Sequence, residues 1–185
     1  MKNIEVSKII NPTPSSDGAG VKLKRSIGVE PNYFDPFLML DEFGSENKDD
    51  YIGGFPPHPH RGIETVTYML EGEFEHEDST GAKGKMTSGD VQWMKTGSGI
   101  IHSEMPAMKQ GKLHGFQLWI NMPASQKMSK PENICFMSSN TWDVSGGGVF
   151  GYNAVWVNRF NKVFDKLSYK PNFVIKNLNE LIDII

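Results

Sequence analysis

Ser88 to Pro106 reads SGDVQWMKTGSGIIHSEMP: two short runs rich in β-branched, aromatic and other large apolar residues, each opened by a glycine-bearing turn. Runs of about five to seven residues between such turns are strand-length, and helical periodicity is weak throughout. Working outward, the same style extends from Ile27 to about Met122. Further strands are expected at Phe37–Phe43, Thr65–Leu70, Glu73–Asp78 and Gly115–Met122, beside Asp90–Lys95 and Gly99–Met105 in the opening stretch. Glu71-Gly72, Thr80-Gly81, Ser88-Gly89, Gly97 and Gly99 punctuate them. Six or more short strands with turns between them predict a mainly β fold, a sandwich or small barrel.

Around Lys127–Asn133 the pattern changes. Residues 132–185 read as a short α/β appendage: strand ICFMSS, a segment NTWDVSGGGVFGY, strands AVWVNR and NFVI, then a terminal amphipathic helix with Leu178, Leu181, Ile182 and Ile185 at helical spacing. A helix after Trp142 is doubtful on propensity, because Gly146, Gly147 and Gly148 each cost about 1 kcal/mol relative to alanine in a helix interior. The expected division is therefore 1–131 and 132–185. A few parallel strands cannot cover their own two faces, so the appendage must dock on the first part, pair with another chain or stay partly disordered.

The chain of 185 residues is 38% hydrophobic, enough for a buried core, and 19 Lys+Arg against 22 Asp+Glu leave a net charge of −3. That balance lacks the basic surface duplex nucleic acid would require, so no nucleic-acid partner is expected. Cys135 is the only cysteine, which excludes an internal disulfide and fits a reducing compartment. The start, MKNIEVSKII, has no secretory pattern and no apolar run approaches ~20 residues, so a cytoplasmic protein without a membrane partner is expected.

The chemistry concentrates in two pairs. In GGFPPHPHRGIETVTY, Gly53 to Tyr68, His58 and His60 stand at i and i+2. If the segment is extended, their imidazoles project to one side, and Pro59 favours extension at His58. His102 and Glu104 repeat the spacing on another expected strand. Together they offer three imidazoles and a carboxylate, a donor set for one first-row divalent metal: iron, manganese, nickel, copper or zinc. The absence of thiolate disfavours a structural zinc, and four ligands leave open positions on a metal that prefers six. The bland alternative is that four polar residues at loops and strand ends share a spacing by coincidence. His76, in the acidic EFEHED, reads as part of a solvated edge strand; His114 reads as surface or turn, and Glu64 as a structural hydrogen-bonding group. Trp93, Met94, Trp119 and Met122 read as barrel filling, and KLKRS (Lys22–Ser26) as a solvated basic face.

These residues carry a resemblance. RSIG, DPFLMLDEF, the segment from GGFPPHPHRG through GIIHSEMP, and HGFQLWIN together resemble the amino-terminal domain of the pirins, metal-binding members of the cupin superfamily, over about residues 21–131. The resemblance implies a cupin β-sandwich with iron held by His58, His60, His102 and Glu104, and Phe55 and Gln117 lining a pocket beside it. It implies either quercetin 2,3-dioxygenase-like oxidation of a flavonol or similar small aromatic, with Glu104 accepting the substrate's proton, or a metal-dependent, redox-sensing module that binds a protein partner without turnover. Pirins normally continue into a second cupin domain. Here residues 132–185 instead resemble the carboxy-terminal end of an L-2-haloacid dehalogenase, with Ser138, Asn140 and Asp143 in its Ser-Ser-Asn-x-Trp-Asp motif. The nucleophilic aspartate of such enzymes has no counterpart, so no dehalogenase activity is expected. Two further expectations follow from the join: a fusion without function, and self-association through surface that a second cupin domain would cover.

Overall fold

The computed structural model describes residues 6, 8–28, 33–149, 153–177 and 179–180. Thirteen strands and one α-helix are formed by these residues. In chain order they are β1 (Thr13–Asp17), β2 (Val21–Ile27), β3 (Phe37–Ser45), β4 (Phe55–His60), β5 (Ile63–Glu71), β6 (Phe74–Asp78), β7 (Lys83–Met86), β8 (Val91–Lys95), β9 (Ile100–Pro106), β10 (Leu113–Asn121), β11 (Glu132–Ser138), α1 (Thr141–Val149), β12 (Ala154–Val157) and β13 (Phe173–Ile175). The mainly β architecture expected from the sequence is what they build. The larger sheet runs β1-β2-β3-β10-β5-β8-β11-β12-β13, and the smaller runs β4-β9-β6-β7.

Six of the strands lie where alternation and turn glycines put them. β11, β12 and β13 match the strands expected in the appendage, while β2 and β4 have physical reasons for being hard to see. β4 carries Pro56, Pro57 and Pro59, which lack the N–H a central strand needs; it pairs only with β9, at the sheet edge where proline is tolerated. β2 includes the basic run read as a solvated face. Val21 and Leu23 point into the core while Lys22 and Lys24 point out, a two-residue period masked by charge. Arg25, on the same strand, forms a fork with buried Asp41 of β3: Nε donates to Oδ1 at 2.8 Å and an Nη donates to Oδ2 at 2.7 Å.

The main core sits between the sheets around Val21, Phe43, Met69, Phe74, Met86 and Leu113. Full burial of side chains of this size stabilises by about 1.5–3 kcal/mol each. Met94 and Met122 are buried as expected. The turn joining β1 to β2 is pressed against the start of β4: the Ala19 N–H donates to the Gly54 carbonyl at 2.9 Å, and a Cβ on Gly53 would come within 2.2 Å of the Ala19 carbonyl oxygen. Only glycine fits at that approach, which brings the turn to the mouth of the cavity described below.

Of the three fates expected for the appendage, docking is the one observed. β11 pairs antiparallel with β8, continuing the larger sheet, and β12 and β13 add in parallel. One apolar cluster spans the join, with Val91 of β8 against Met137, Val155, Val157 and Ile175. The doubtful helix forms. The Asn140 side-chain oxygen accepts from the Trp142 N–H at 3.1 Å, capping its start, and Val144 is buried against Ala154 and Trp156. One of its glycines has a packing reason: a Cβ on Gly148 would stand 2.0 Å from the Tyr169 ring, whereas one on Gly146 would meet nothing within 4 Å. Apart from residues 179 and 180, the terminal helix expected around Leu178 to Ile185 lies outside the described residues. No helix among the described residues is long and apolar enough to cross a membrane.

Candidate metal centre

The antiparallel register of β4 on β9 sets His58 opposite His102 and Phe55 opposite Glu104, with an irregularity between Phe55 and His58 that re-aims the strand. The three imidazoles of His58, His60 and His102 come together, their ligand nitrogens all within 4.8 Å of one another. Ring centroids are 4.4 Å apart for His58 and His102, 4.8 Å for His58 and His60, and 4.9 Å for His60 and His102. His60 and His102 are buried, and His58 is half-buried at the cavity side.

Two of the nitrogens that converge, on His58 and His102, are placed to accept rather than donate. His58 Nδ1 lies 2.8 Å from the Pro56 carbonyl oxygen, which only an Nδ1–H can satisfy, so Nε2 carries the lone pair. That Nε2 faces His60 Nε2 at 3.0 Å. His102 Nε2 is buried without a hydrogen-bond partner among the described residues. Burial pushes the His102 imidazolium down to about 3, helped by the neighbouring His76 and His58; burial likewise pushes His60 down to about 4, helped by His102 and His58 and opposed by Glu104. Convergent imidazoles, one with an orphaned buried nitrogen, fit a divalent cation, which would meet the His102 Nε2 and take the place of the His58–His60 contact.

Glu104, also buried, stands outside this tight group and is fixed from the opposite sheet. The Thr67 hydroxyl of β5 lies 2.8 Å from Glu104 Oε1 and 2.7 Å from the side-chain amide of Gln117 on β10. The amide atom at that contact is Oε1; a hydroxyl has one proton and donates it to the carboxylate, so the chemically consistent assignment turns the Gln117 amide to offer its N–H to Thr67. Glu104, Gln117 and Phe55 all line a cavity of about 470 Å³ that His58, His60 and Trp119 also reach. Its apolar wall is continuous with the core through Leu23 and Phe43.

Other expectations come out differently. His76 is no solvated edge residue: β6 lies between β7 and β9, and Phe74, His76 and Asp78 all face inward. His76 sits behind His102, with Nδ1 atoms 3.5 Å apart, and contacts Asp78 at 3.3 Å. Trp119 is more than filling, since its indole meets His60 edge-on at 4.9 Å between centroids and forms part of the cavity wall. Sequence reasoning missed His76 and Asp78, although they share the i, i+2 spacing that picked out the other pairs. It also missed Thr67, whose role depends on cross-strand register alone. Glu64 accepts a 2.8 Å hydrogen bond from the Trp93 indole, and His114 contacts Glu42 at 2.9 Å. In the appendage, Ser138 is buried and its hydroxyl accepts from the Asn140 N–H, a local turn contact; the Asp143 side chain lies outside the described set.

Comparison with known proteins agrees with this geometry. A family model described as Pirin matches residues 20–120. A pirin-like protein of Caulobacter vibrioides is 58% identical over 127 residues, 68% of this chain and 46% of that protein. Among solved structures, a quercetin 2,3-dioxygenase from Acinetobacter baumannii matches with TM-score 0.61 at 28% identity, covering 68% of this chain and 42% of that one. A bacterial pirin from Escherichia coli in complex with nickel(II) matches with TM-score 0.52 at 29% identity, covering 65% and 52%. The chain spans about half the length of the curated relatives it matches.

Proposed function

The chain belongs to the pirin family, and from that premise we propose that it holds one divalent metal through His58, His60 and His102, with Glu104 as a further ligand, and oxidises a flavonol or similar aromatic with dioxygen. The observation that carries this reading is the convergence of three imidazoles, of which His58 and His60 reach a largely apolar cavity and His102 holds a buried, unpartnered nitrogen. The metal, when bound, supplies Lewis acidity and a meeting point for substrate and dioxygen. Iron is the ion the family resemblance implies, and nickel(II) is the ion in the E. coli relative.

The chain's own residues supply positioning and proton transfer. Phe55 and Trp119 offer flat apolar surface to an aromatic ring, and a cavity of about 470 Å³ falls in the ordinary range for small-molecule sites. Thr67 holds Glu104 Oε1, which leaves Oε2 to take the proton of a substrate hydroxyl. Gln117, tied to the same Thr67, fixes the orientation of the bound ring from the facing sheet.

We read residues 1–131 as the cupin unit and 132–185 as an appended segment similar to the end of a haloacid dehalogenase, without dehalogenase activity. In support, the family match ends at residue 120, and parallel strand pairing begins only at β11. The deciding experiment is metal analysis of the purified protein beside His58→Ala and Glu104→Ala, followed by oxygen uptake with quercetin. One metal per chain, lost in His58→Ala, with quercetin-dependent oxygen uptake lost in both variants, is expected. Equal sub-stoichiometric metal in all three removes the metal site. Full metal loading without flavonol consumption transfers the assignment to a non-catalytic, metal-dependent interaction module.

A further inference from the structure

Behind His102 lies a second line of buried polar groups that substrate oxidation does not use. Asp78, His76 and His102 form a chain through the smaller sheet: the His76 Nε2 is 3.3 Å from Asp78 Oδ2, and its Nδ1 is 3.5 Å from His102 Nδ1. All three are buried, and the His76 and His102 rings are 5.3 Å apart. Asp78 is itself anchored, because its Oδ1 accepts from the Thr80 N–H at 2.8 Å, the Thr80 hydroxyl at 2.6 Å and the Ala82 N–H at 3.3 Å.

With His76 neutral, one proton arrangement satisfies this chain. Asp78 accepts, so His76 carries its proton on Nε2 and presents a bare Nδ1. A bare Nδ1 must receive, so His102 carries its proton on Nδ1. The His102 Nε2 is then the lone-pair nitrogen, and it is the one buried without a partner beside His58 and His60. The opposite arrangement sets a bare His76 nitrogen against a carboxylate and leaves a buried N–H on His102 with no acceptor. We propose that His76 and Asp78 are positioning residues that fix the tautomer and ring orientation of His102 for metal capture. This rests on the metal site argued above, and it assigns to residues outside that site a tenfold or larger share of its affinity.

Carboxylate-to-histidine support of this kind typically changes metal affinity by about 10–100-fold. The test uses the full-length chain with nickel(II) as probe, its affinity read by chelator competition, and the imidazole tautomers of the metal-free protein read by long-range ¹H–¹⁵N NMR. The wild type is expected to carry His102 protonated at Nδ1 and His76 at Nε2. His76→Phe should lose about 10–100-fold in nickel affinity. His76→Gln should recover most of that, because its amide can accept from His102 and donate to Asp78. Asp78→Asn, keeping its oxygen toward Thr80, turns an N–H toward His76 and should invert the chain, moving the His102 proton to Nε2 and lowering affinity. Should His76→Phe fail to fold, the Gln and Asn variants carry the comparison. Equal nickel affinity in wild type, His76→Gln and Asp78→Asn, or a wild-type His102 protonated at Nε2, overturns the proposal. A wild type that binds no nickel but shows the stated tautomers overturns the proposed function and leaves the relay standing.

Discussion

Replacing Thr67 by valine tests the polar bridge between the two sheets, because the swap keeps side-chain shape and removes one hydroxyl. Thr67 is 2% exposed, so nothing from solvent can take the hydroxyl's place. The bond to the Glu104 carboxylate is charge-assisted and worth about 1.5–3 kcal/mol, and the contact with Gln117 adds about 0.5–1.5 kcal/mol. Valine's extra buried methyl returns about 0.8 kcal/mol at most. The net loss is about 1–4 kcal/mol, enough to move a urea midpoint by roughly 1 M at the slopes ordinary for small domains. The measurement is urea unfolding of the metal-free protein at pH 7, repeated in Glu104→Met and in the double variant. If Thr67 acts through Glu104, the second substitution removes the partner that valine leaves stranded, and the cycle returns a coupling of at least about 1.5 kcal/mol. A Thr67→Val shift below about 0.5 kcal/mol, or additive single effects, would refute the bridge.

Three further outcomes are expected. With His60 held down near 4 and His102 near 3, against 6.5 for an ordinary imidazole, the unfolded chain binds more protons than the folded one as pH falls. Stability of the metal-free protein is therefore complete above about pH 6.5 and declines toward pH 4 and below; the clean measurement is the urea midpoint between pH 7 and 5, and a flat or rising midpoint on acidification contradicts the burial argument. Gly148→Ala drives a Cβ into the Tyr169 ring, 2.0 Å away, and should cost about 1–3 kcal/mol in thermal unfolding; no change would mean that α1 and Tyr169 do not pack together. Trp119 is one of 4 tryptophans and the one whose ring meets a candidate ligand. Adding nickel(II) should quench a minor fraction of the indole fluorescence, and Trp119→Phe should abolish that fraction.

The strands that were legible in the sequence are those in which hydrophobic alternation and turn glycines agree, such as β5, β8 and β10. Strands β2 and β4 were obscured because other chemistry occupies the same residues. Lysine alternation on β2 looks like a charged face until Val21 and Leu23 are seen to share one side. The prolines of β4 look like a loop until the strand is placed at an edge, where no neighbour asks for their missing N–H. For the appendage, local reading found the order of elements but could not find its partner. Docking on β8 is a long-range pairing, decided by the apolar faces of Met137 and Val155 meeting Val91.

The site divides along the same physical line. His58, His60, His102 and Glu104 were legible because strand periodicity converts i, i+2 spacing directly into a shared direction. The same rule applied to His76 and Asp78 as well, and failed there because EFEHED is acidic and an acidic stretch is ordinarily solvated. What decides between the two is sheet order: β6 has neighbours on both sides, so its inward residues have no water to face and must satisfy one another. That constraint also alters how the centre should respond to acid. Three ordinary imidazoles would surrender a metal as pH falls through about 6 to 5. With protons unable to compete at His60 until about 4 and at His102 until about 3, release at those two ligands moves to lower pH. The depth of the small sheet, not the count of histidines, sets where that release occurs.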